Sequence, residues 1–231
     1  MLDLTPTPCP LCLGAARAGG PCAGCLEDIQ ASAPQGVRCP VCALALPQGV
    51  PCPDCALLKP AFDRVITAFD YCDPADQMIW QLKNAGRFHH ARFLAQLLAQ
   101  SAQQGGVVHE GITILLPVPS SSQALRRRGF NPAGEIARQV AARLNLAYRP
   151  GLMRRYGRGK EQKQLSRAAR TASLLGRYVC TARIEGAVVA VVDDVLTTGA
   201  TLHAVAQTLK QAGAVRVVGL IVARTPYRHN N

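Results

Sequence analysis

The segment Val188-Val189-Ala190-Val191-Val192 runs without a break into Asp193-Asp194, and no other stretch limits the choice of fold as much. Five apolar residues, four of them β-branched, read as a strand buried on both faces, which points to a parallel sheet. Behind the acids come Val195-Leu196-Thr197-Thr198-Gly199-Ala200-Thr201, and a helical pattern follows over 200–212. The strand therefore delivers a polar loop to the carboxyl edge of a sheet, at the mouth of a helix. Free N–H groups at a helix N-terminus, joined by the hydroxyls of Thr197, Thr198 and Thr201, suit a phosphate monoester. Two carboxylates cannot favour that anion, but they suit a pair of sugar hydroxyls. A loop that takes a phosphate at one end and a diol at the other reads as a ribose 5-phosphate site.

The strand of a nucleotide hydrolase can also end in Asp-Asp, but it needs a GxxxxGK[ST] loop elsewhere in the chain. Here Gly159-Lys160 is followed by Glu161, and Arg154 stands where the first glycine would be. An ordinary turn explains Thr and Gly without explaining the whole register of strand, acid pair and Thr-Thr-Gly-Ala-Thr. The segment resembles the phosphoribosyl pyrophosphate (PRPP) signature of type I phosphoribosyltransferases. That resemblance implies that Asp193, Asp194, Thr197, Thr198, Gly199, Ala200 and Thr201 bind PRPP. In the members that process 6-oxopurines, an acid three positions after the second carboxylate contacts the base. Thr197 occupies that position, which argues against hypoxanthine-guanine salvage.

Patterning elsewhere agrees with an α/β chain. Strands are expected over 62–71, 112–118 and 215–222, besides 188–193. Asp73-Pro74 suggests an N-cap followed by proline at N1. The stripe Ile79, Leu82, Phe93, Leu94, Leu97 and Leu98 suggests a helix broken near Asn84-Ala85-Gly86. Further helices are expected over 134–146 and, more weakly, 166–175. Continuous apolar strands alternating with helices mean a parallel sheet flanked by helices on both faces.

Residues 1–58 are different, being rich in Cys, Pro and Gly and nearly empty of apolar period. Eight of the ten cysteines form four CxxC pairs: Cys9/Cys12, Cys22/Cys25, Cys39/Cys42 and Cys52/Cys55. Nine residues separate the pairs within each half, so a Cys-x2-Cys-x9-Cys-x2-Cys unit occurs twice, each unit offering four thiolates to tetrahedral zinc. A thioredoxin-like role needs a strand-to-helix junction, and these pairs read as lying in loops. A segment this poor in core residues draws its fold from metal, worth about 10–16 kcal/mol per structural site. Sequential pairing gives a double zinc ribbon, and an interleaved cross-brace is the alternative. The expected organisation is a double zinc ribbon over 1–58 and an α/β domain over 60–231. Cys72 and Cys180 read as buried thiols outside both units.

The formal net charge is +12, and two filled four-thiolate sites lower it to about +8. The charge is concentrated: Arg126, Arg127 and Arg128 adjoin one another, and eight Lys or Arg lie between Arg149 and Arg170 against the single acid Glu161. No apolar run approaches the roughly 18 residues of a membrane span, and Met1-Leu2-Asp3-Leu4 has no basic leader, so a cytoplasmic protein without membrane insertion is expected.

The order of these pieces resembles the ComF family, that of competence protein F and its relatives. A Cys-rich start is followed by Leu82-Lys83, Pro117-Val118-Pro119-Ser120, Arg127-Arg128-Gly129-Phe130-Asn131 and the acidic loop. The resemblance implies a pyrophosphate loop at Pro119 and Ser120, where strand-end backbone N–H groups such as that of Ser120 would meet the leaving group. It implies phosphate or nucleic-acid contacts at Arg127 and Arg128, since guanidinium groups pair bidentately with phosphate. It also implies a mobile basic loop and helix carrying Lys160, Gln162, Lys163, Arg167 and Arg170. Gly159 and Ser173 depart from the family's usual Thr and Asn, and Asn84 departs from an aromatic position.

The resemblance further implies a type I phosphoribosyltransferase-like fold behind a zinc ribbon, two structural Zn2+, and Mg2+ bound with PRPP. The implied activity is phosphoribosyl transfer of the pentosyl class to an acceptor the residues do not name. The implied setting is DNA uptake, with single-stranded DNA and the DNA-uptake or helicase machinery as partners. The alternative is a non-catalytic single-stranded-DNA binder that uses the PRPP loop as a sensor. Trp80 fits base stacking and core packing equally. Lys83 reads as a surface lysine covering apolar area, and His89 and His90 read as surface residues.

Overall fold

The computed structural model describes residues 6–17, 20–32, 35–107, 110–156 and 176–226. Its centre is a four-stranded parallel sheet of β3 (Arg64–Asp70), β4 (Ile114–Pro117), β7 (Val188–Leu196) and β8 (Arg216–Arg224), in the order β3-β8-β7-β4. Two antiparallel ribbons stand apart from it: β1 (Pro6–Pro8) with β2 (Ala15–Arg17), and β5 (Met153–Arg155) with β6 (Tyr178–Cys180). The helices are α1 (Ala23–Ala31), α2 (Pro53–Leu58), α3 (Ala75–Ala85), α4 (His89–Gln104), α5 (Ser122–Arg128), α6 (Pro132–Leu144) and α7 (Ala200–Gln211).

Period two along the central strands divides the interior into two cores. Ala190, Val192, Val218, Leu220 and Val222 face Leu82, Leu94, Leu98, Ile136 and Val140 of α3, α4 and α6. Val189, Val191, Val217 and Ile221 face Leu202, Val205 and Leu209 of α7. Both faces of β7 and β8 are thus covered, as their unbroken apolar runs require.

The break expected between the two apolar helical stretches is real: Gly86 caps α3 at φ 62°, and α4 begins at His89. Asp73 does not cap α3. The N-cap is Pro74, and the Asp73 carboxylate instead accepts from Gln77 Nε2 at 2.6 Å. The weak helix expected over 166–175, and with it Lys160, Gln162, Lys163, Arg167 and Arg170, lies outside the described residues.

The N-terminal segment contributes more to the body than its composition suggests. Ile29 of α1 joins one core, and Cys39, Cys42 and Leu44 join the other. A bidentate ion pair from Arg38 to Asp70, at 2.8 and 2.6 Å, fastens the segment to the end of β3. The second CxxC of each unit is also not in a loop. Cys22 and Cys52 are the N-caps of α1 and α2, which places Cys25 and Cys55 within the helices. Short helices that begin at a CxxC cysteine escape a search for apolar period. Among the described residues no helix is long and apolar enough to cross a membrane.

Candidate functional site

The carboxyl ends of β7 and β4 lie side by side, because Leu116 pairs with Val191 and Pro117 with Val192. β7 continues past the acid pair to Leu196, held by β8 through Val195–Ala223 and Leu196–Arg224 pairing. Asp193 and Asp194 therefore project from ladder backbone rather than from a loop, which fixes them more firmly than the expected strand end at 193 would. The loop proper is Thr197-Thr198, and Gly199, at φ 79°, is the N-cap of α7 without a side-chain cap. Thr198 Oγ1 accepts from the Ala200 N–H at 3.4 Å, while Thr197 is exposed and Thr201 half-buried.

The two acids differ sharply. Asp194 is buried and receives the Lys83 ammonium from the last turn of α3 at 2.7 Å. Asp193 has no such cation in contact among the described residues, and its Oδ1 accepts from the Asp194 N–H at 2.9 Å. Burial first, then the neighbouring Asp194 carboxylate, push the Asp193 carboxyl up to about 7, against lowering by Lys83, that N–H and Arg155. Lys83 is thus part of the site and not a surface lysine. It sits one position after Leu82, which is fully buried and fixes how α3 meets the loop.

On the neighbouring strand, the Val118 N–H donates to Val192 O at 2.9 Å. Asn131 then staples the segment beyond it. Its Nδ2 donates to Val118 O at 2.9 Å, and its Oδ1 accepts from Ser120 Oγ at 2.8 Å. Pro119 and Ser120 are consequently held beside the acid pair by the residue that opens α6. Arg127 and Arg128 end α5, next in the chain. Arg127 is exposed, and Arg128 is half-buried with its Nε unpartnered among the described residues.

Two residues that the sequence did not single out approach from the β5–β6 ribbon. Arg155 lies over the Tyr178 ring at 5.7 Å, and Tyr178 is buried with its hydroxyl unpartnered among the described residues. Burial first, offset in part by Arg155, raises the Tyr178 phenol, and Asp193 adds to the rise. A third is Arg224, whose buried guanidinium donates from Nη1 to Leu196 O and Thr197 O behind the loop. An arginine closing an otherwise apolar strand is the one signal that could have exposed it.

His90 is a correction: it is buried, with Nε2 2.9 Å from Gln81 Oε1. It continues the inward stripe of Leu94 and Leu98 at helical spacing, and burial followed by the charges of His89 and Arg87 pulls its imidazole down to about 4. Only His89 of the pair is exposed. Trp80 is not a core residue, since 59% of its surface is open. Cys72 and Cys180 are half-buried, not buried.

The eight CxxC cysteines gather sequentially into Cys9, Cys12, Cys22 and Cys25, and Cys39, Cys42, Cys52 and Cys55, with the sulfurs of each group within 4.8 Å of one another. The interleaved arrangement is thereby excluded. Sulfur pairs stand 3.6 Å apart for Cys12–Cys22 and Cys39–Cys55, and 3.5 Å for Cys42–Cys52. A tetrahedron of zinc–sulfur bonds of about 2.3 Å needs sulfurs about 3.8 Å apart, so each tetrad could bind a zinc ion. Burial would raise Cys9, but N–H groups of Cys12, Cys22 and Leu11 outweigh it and bring the thiol to about 6. Burial raises Cys42 to about 11. Four sulfurs this close cannot all ionise without a cation among them, a role that a bound zinc ion could fill.

Residues 124–228 match the phosphoribosyl transferase domain family. The chain is 30% identical over 171 residues to the DNA utilization protein YhgH of Salmonella typhimurium, covering 72% of this chain and 74% of that protein. It is 28% identical over 169 residues to competence protein F of Haemophilus influenzae, covering 70% and 74%. Among solved structures, a purine phosphoribosyltransferase from Pyrococcus horikoshii aligns at 15% identity with a TM-score of 0.35, over 58% of this chain and 83% of that one.

Proposed function

The chain belongs to the ComF family, that of competence protein F and DNA utilization protein YhgH, and we propose that its phosphoribosyltransferase-type domain binds magnesium PRPP. One observation carries the reading. The carboxyl ends of two adjacent parallel strands bring together an acid pair, an uncapped helix N-terminus and a stapled Pro119-Ser120 turn. The 5-phosphate would meet Thr198, Gly199, Ala200 and Thr201, with Thr197 at the rim. The ribose hydroxyls would donate to Asp193 and Asp194. The pyrophosphate would lie against Pro119 and Ser120, with Arg127 and Arg128 on the same side. Magnesium would arrive on the pyrophosphate and neutralise its charge as it departs.

If transfer occurs, the bond from C1 to the pyrophosphate oxygen breaks with positive charge developing on the ribose ring. Carboxylates beside the sugar favour that charge. Lys83 pairs with Asp194 and favours the ionised form of Asp193. Zinc at the two tetrads would be structural, in a ribbon unit over 1–58 ahead of the transferase-like domain.

Calorimetric titration of magnesium PRPP tests the reading. Wild type is expected to bind with one site per chain, and Asp194→Ala to lose at least tenfold in affinity, about 1.4 kcal/mol. Absence of binding, or equal binding by both proteins, overturns it.

A second reading, contact with single-stranded DNA, is favoured by the exposure of Trp80 and the +12 charge, together with the relatives' names. An open indole is a stacking platform for any base. The two readings are compatible, since the same protein could bind PRPP and a DNA strand.

A further inference from the structure

We infer that the second four-cysteine site forms the rear support of the phosphate loop, and that Arg224 is the positioning residue linking metal occupancy there to the loop's shape. The inference rests on the ribose-phosphate reading of the loop, and it assigns to one tetrad a role in ligand binding that the other does not share.

Three separate contacts carry it. Arg224 is 1% exposed, and every nitrogen of its guanidinium is engaged. Nε donates to Cys42 O at 3.1 Å, and Nη2 donates to Asp54 Oδ2 at 2.7 Å and lies 3.9 Å from Cys42 Sγ. Nη1 donates to Leu196 O at 3.1 Å, Thr197 O, and Thr225 O at 3.0 Å. Asp54 stands between Cys52 and Cys55, and Cys42 is itself one of the four thiols. One edge of the guanidinium is therefore set by the metal-binding turns, and the other holds two carbonyls at the root of the loop.

The second contact is steric. Gly199 has φ 79°, and a Cβ there would stand 3.2 Å from Leu58 Cδ2 and 3.5 Å from the Phe62 ring. Leu58 ends the helix that carries Cys55, so that helix closes directly on the residue that opens α7. The third is polar: the Ala61 N–H donates to His203 Nδ1 of α7 at 3.0 Å. The first tetrad makes no comparable approach among the described residues. Its Pro10 O accepts from Gln81 Nε2 at 3.2 Å on α3, away from the loop backbone.

The segment between Cys39 and Cys55 is short and draws its shape from its metal. Without zinc, the turns that carry Asp54 and Cys42 O lose the part of their shape that the metal sets, and one edge of the Arg224 fork is held less firmly. The donor that sets the direction of Leu196 O and Thr197 O is then less fixed, and the N–H groups at the start of α7 converge less well. Coupling of this kind is reciprocal: if zinc at the second site tightens the ligand, the ligand tightens that zinc by the same factor.

The experiment uses the full-length zinc-loaded protein and follows zinc release to the chromogenic chelator 4-(2-pyridylazo)resorcinol, with and without magnesium PRPP. In wild type, the ligand is expected to slow loss of one of the two zinc ions by about tenfold and to leave the other within about threefold. Arg224→Lys keeps the charge but not the fork. It is expected to retain two zinc ions, lose the ligand's protection, and bind magnesium PRPP about tenfold more weakly by calorimetry. Equal protection of both ions, protection of neither, or wild-type binding and protection in Arg224→Lys overturns the inference. If wild type does not bind magnesium PRPP, the ligand reading falls, and Arg224→Lys still decides the coupling. Faster loss of one zinc ion than in wild type supports it, and unchanged release of both overturns it. Arg224→Met, which removes charge and fork together, should show the same pattern more strongly.

Discussion

Replacing Lys83 by Met tests whether the acid pair depends on a single cation. The Lys83 Nζ stands 2.7 Å from Asp194 Oδ1, with side-chain exposures of 25% and 12%. An exposed pair contributes about 0.2–1 kcal/mol, and removing one partner of a buried pair costs about 3–5 kcal/mol. The observed exposure lies between those limits, so Lys83→Met should cost about 1–3 kcal/mol. For a chain of this length that corresponds to a fall in melting temperature of about 2–12 °C. Met fills most of the lysine's stem volume, so lost packing adds little.

The pH dependence separates charge from packing. The cost exists only while carboxylates are ionised, so melting temperatures of variant and wild type should converge near pH ~3–4 and separate by pH ~7.5. Lys83 also lowers Asp193, which stands at about 7 with the lysine present and should rise further without it. At neutral pH the variant therefore carries less negative charge at the ribose position and should bind magnesium PRPP about tenfold more weakly, about 1.4 kcal/mol. Calorimetry near pH ~7.5 and thermal melts across pH ~3.5–8 provide both readings. An equal drop in melting temperature at every pH would mean that the lysine acts only by packing. No drop, with unchanged affinity, would refute the electrostatic account altogether.

Two other expectations concern charge. Asp193 is raised from 3.8 to about 7 in the folded chain, so its contribution to the stability of the unliganded protein is fully present below about pH 4 and lost as pH rises through 7. A diol that prefers the ionised carboxylate binds with proton release, so affinity for magnesium PRPP should climb between about pH 6 and 8, and Asp193→Asn should flatten that climb. For DNA, binding of a labelled single-stranded oligonucleotide should weaken steeply with salt, at a slope of about −0.7 per phosphate neutralised. Trp80→Ala should cost about 1–3 kcal/mol if a base stacks there, and a flat salt response would remove the phosphate-contact reading.

The parallel sheet is legible in the sequence because β7 and β8 are buried on both faces and carry uninterrupted apolar runs, a pattern that depends on local composition alone. The metal tetrads are legible for a related reason, since a repeated ligand spacing survives without any knowledge of packing. Three things are hidden. The strand runs past the expected end at Asp193, through Asp194 to Leu196, because β8 is long enough to keep pairing with β7, and that length shows only when both strands are in place. Lys83 and Arg224 belong to the site through partners 111 and 170 positions away in the chain, Asp194 and Asp54. His90 reads as surface only when its polarity is weighed ahead of its place on the Leu94–Leu98 stripe. Residue type and spacing thus reveal what a segment does by itself, and long-range pairing decides which charges it meets.

That distinction bears on why a cysteine-rich segment precedes this domain at all. The four-stranded sheet supports its acid loop on the β8 side, and among the described residues Arg224 donates to the Thr197 carbonyl behind it. A buried guanidinium there requires acceptors on its far edge, and the apolar core cannot provide them. Asp54 and the Cys42 carbonyl do, and they come from turns whose shape metal binding can fix independently of the core. On the opposite side, the carbonyl of Pro10 in the first unit accepts from Gln81 of α3, away from the loop backbone. The two halves of the repeat therefore touch different parts of the domain, the second reaching the loop backbone from behind and the first meeting only α3 among the described residues. Loss of the second zinc should then act on the phosphate end of the site, and loss of the first should leave ligand affinity within about threefold. On this arrangement the ribbon is part of the binding apparatus, and a chain trimmed to the transferase-like domain would keep its sheet but not its loop.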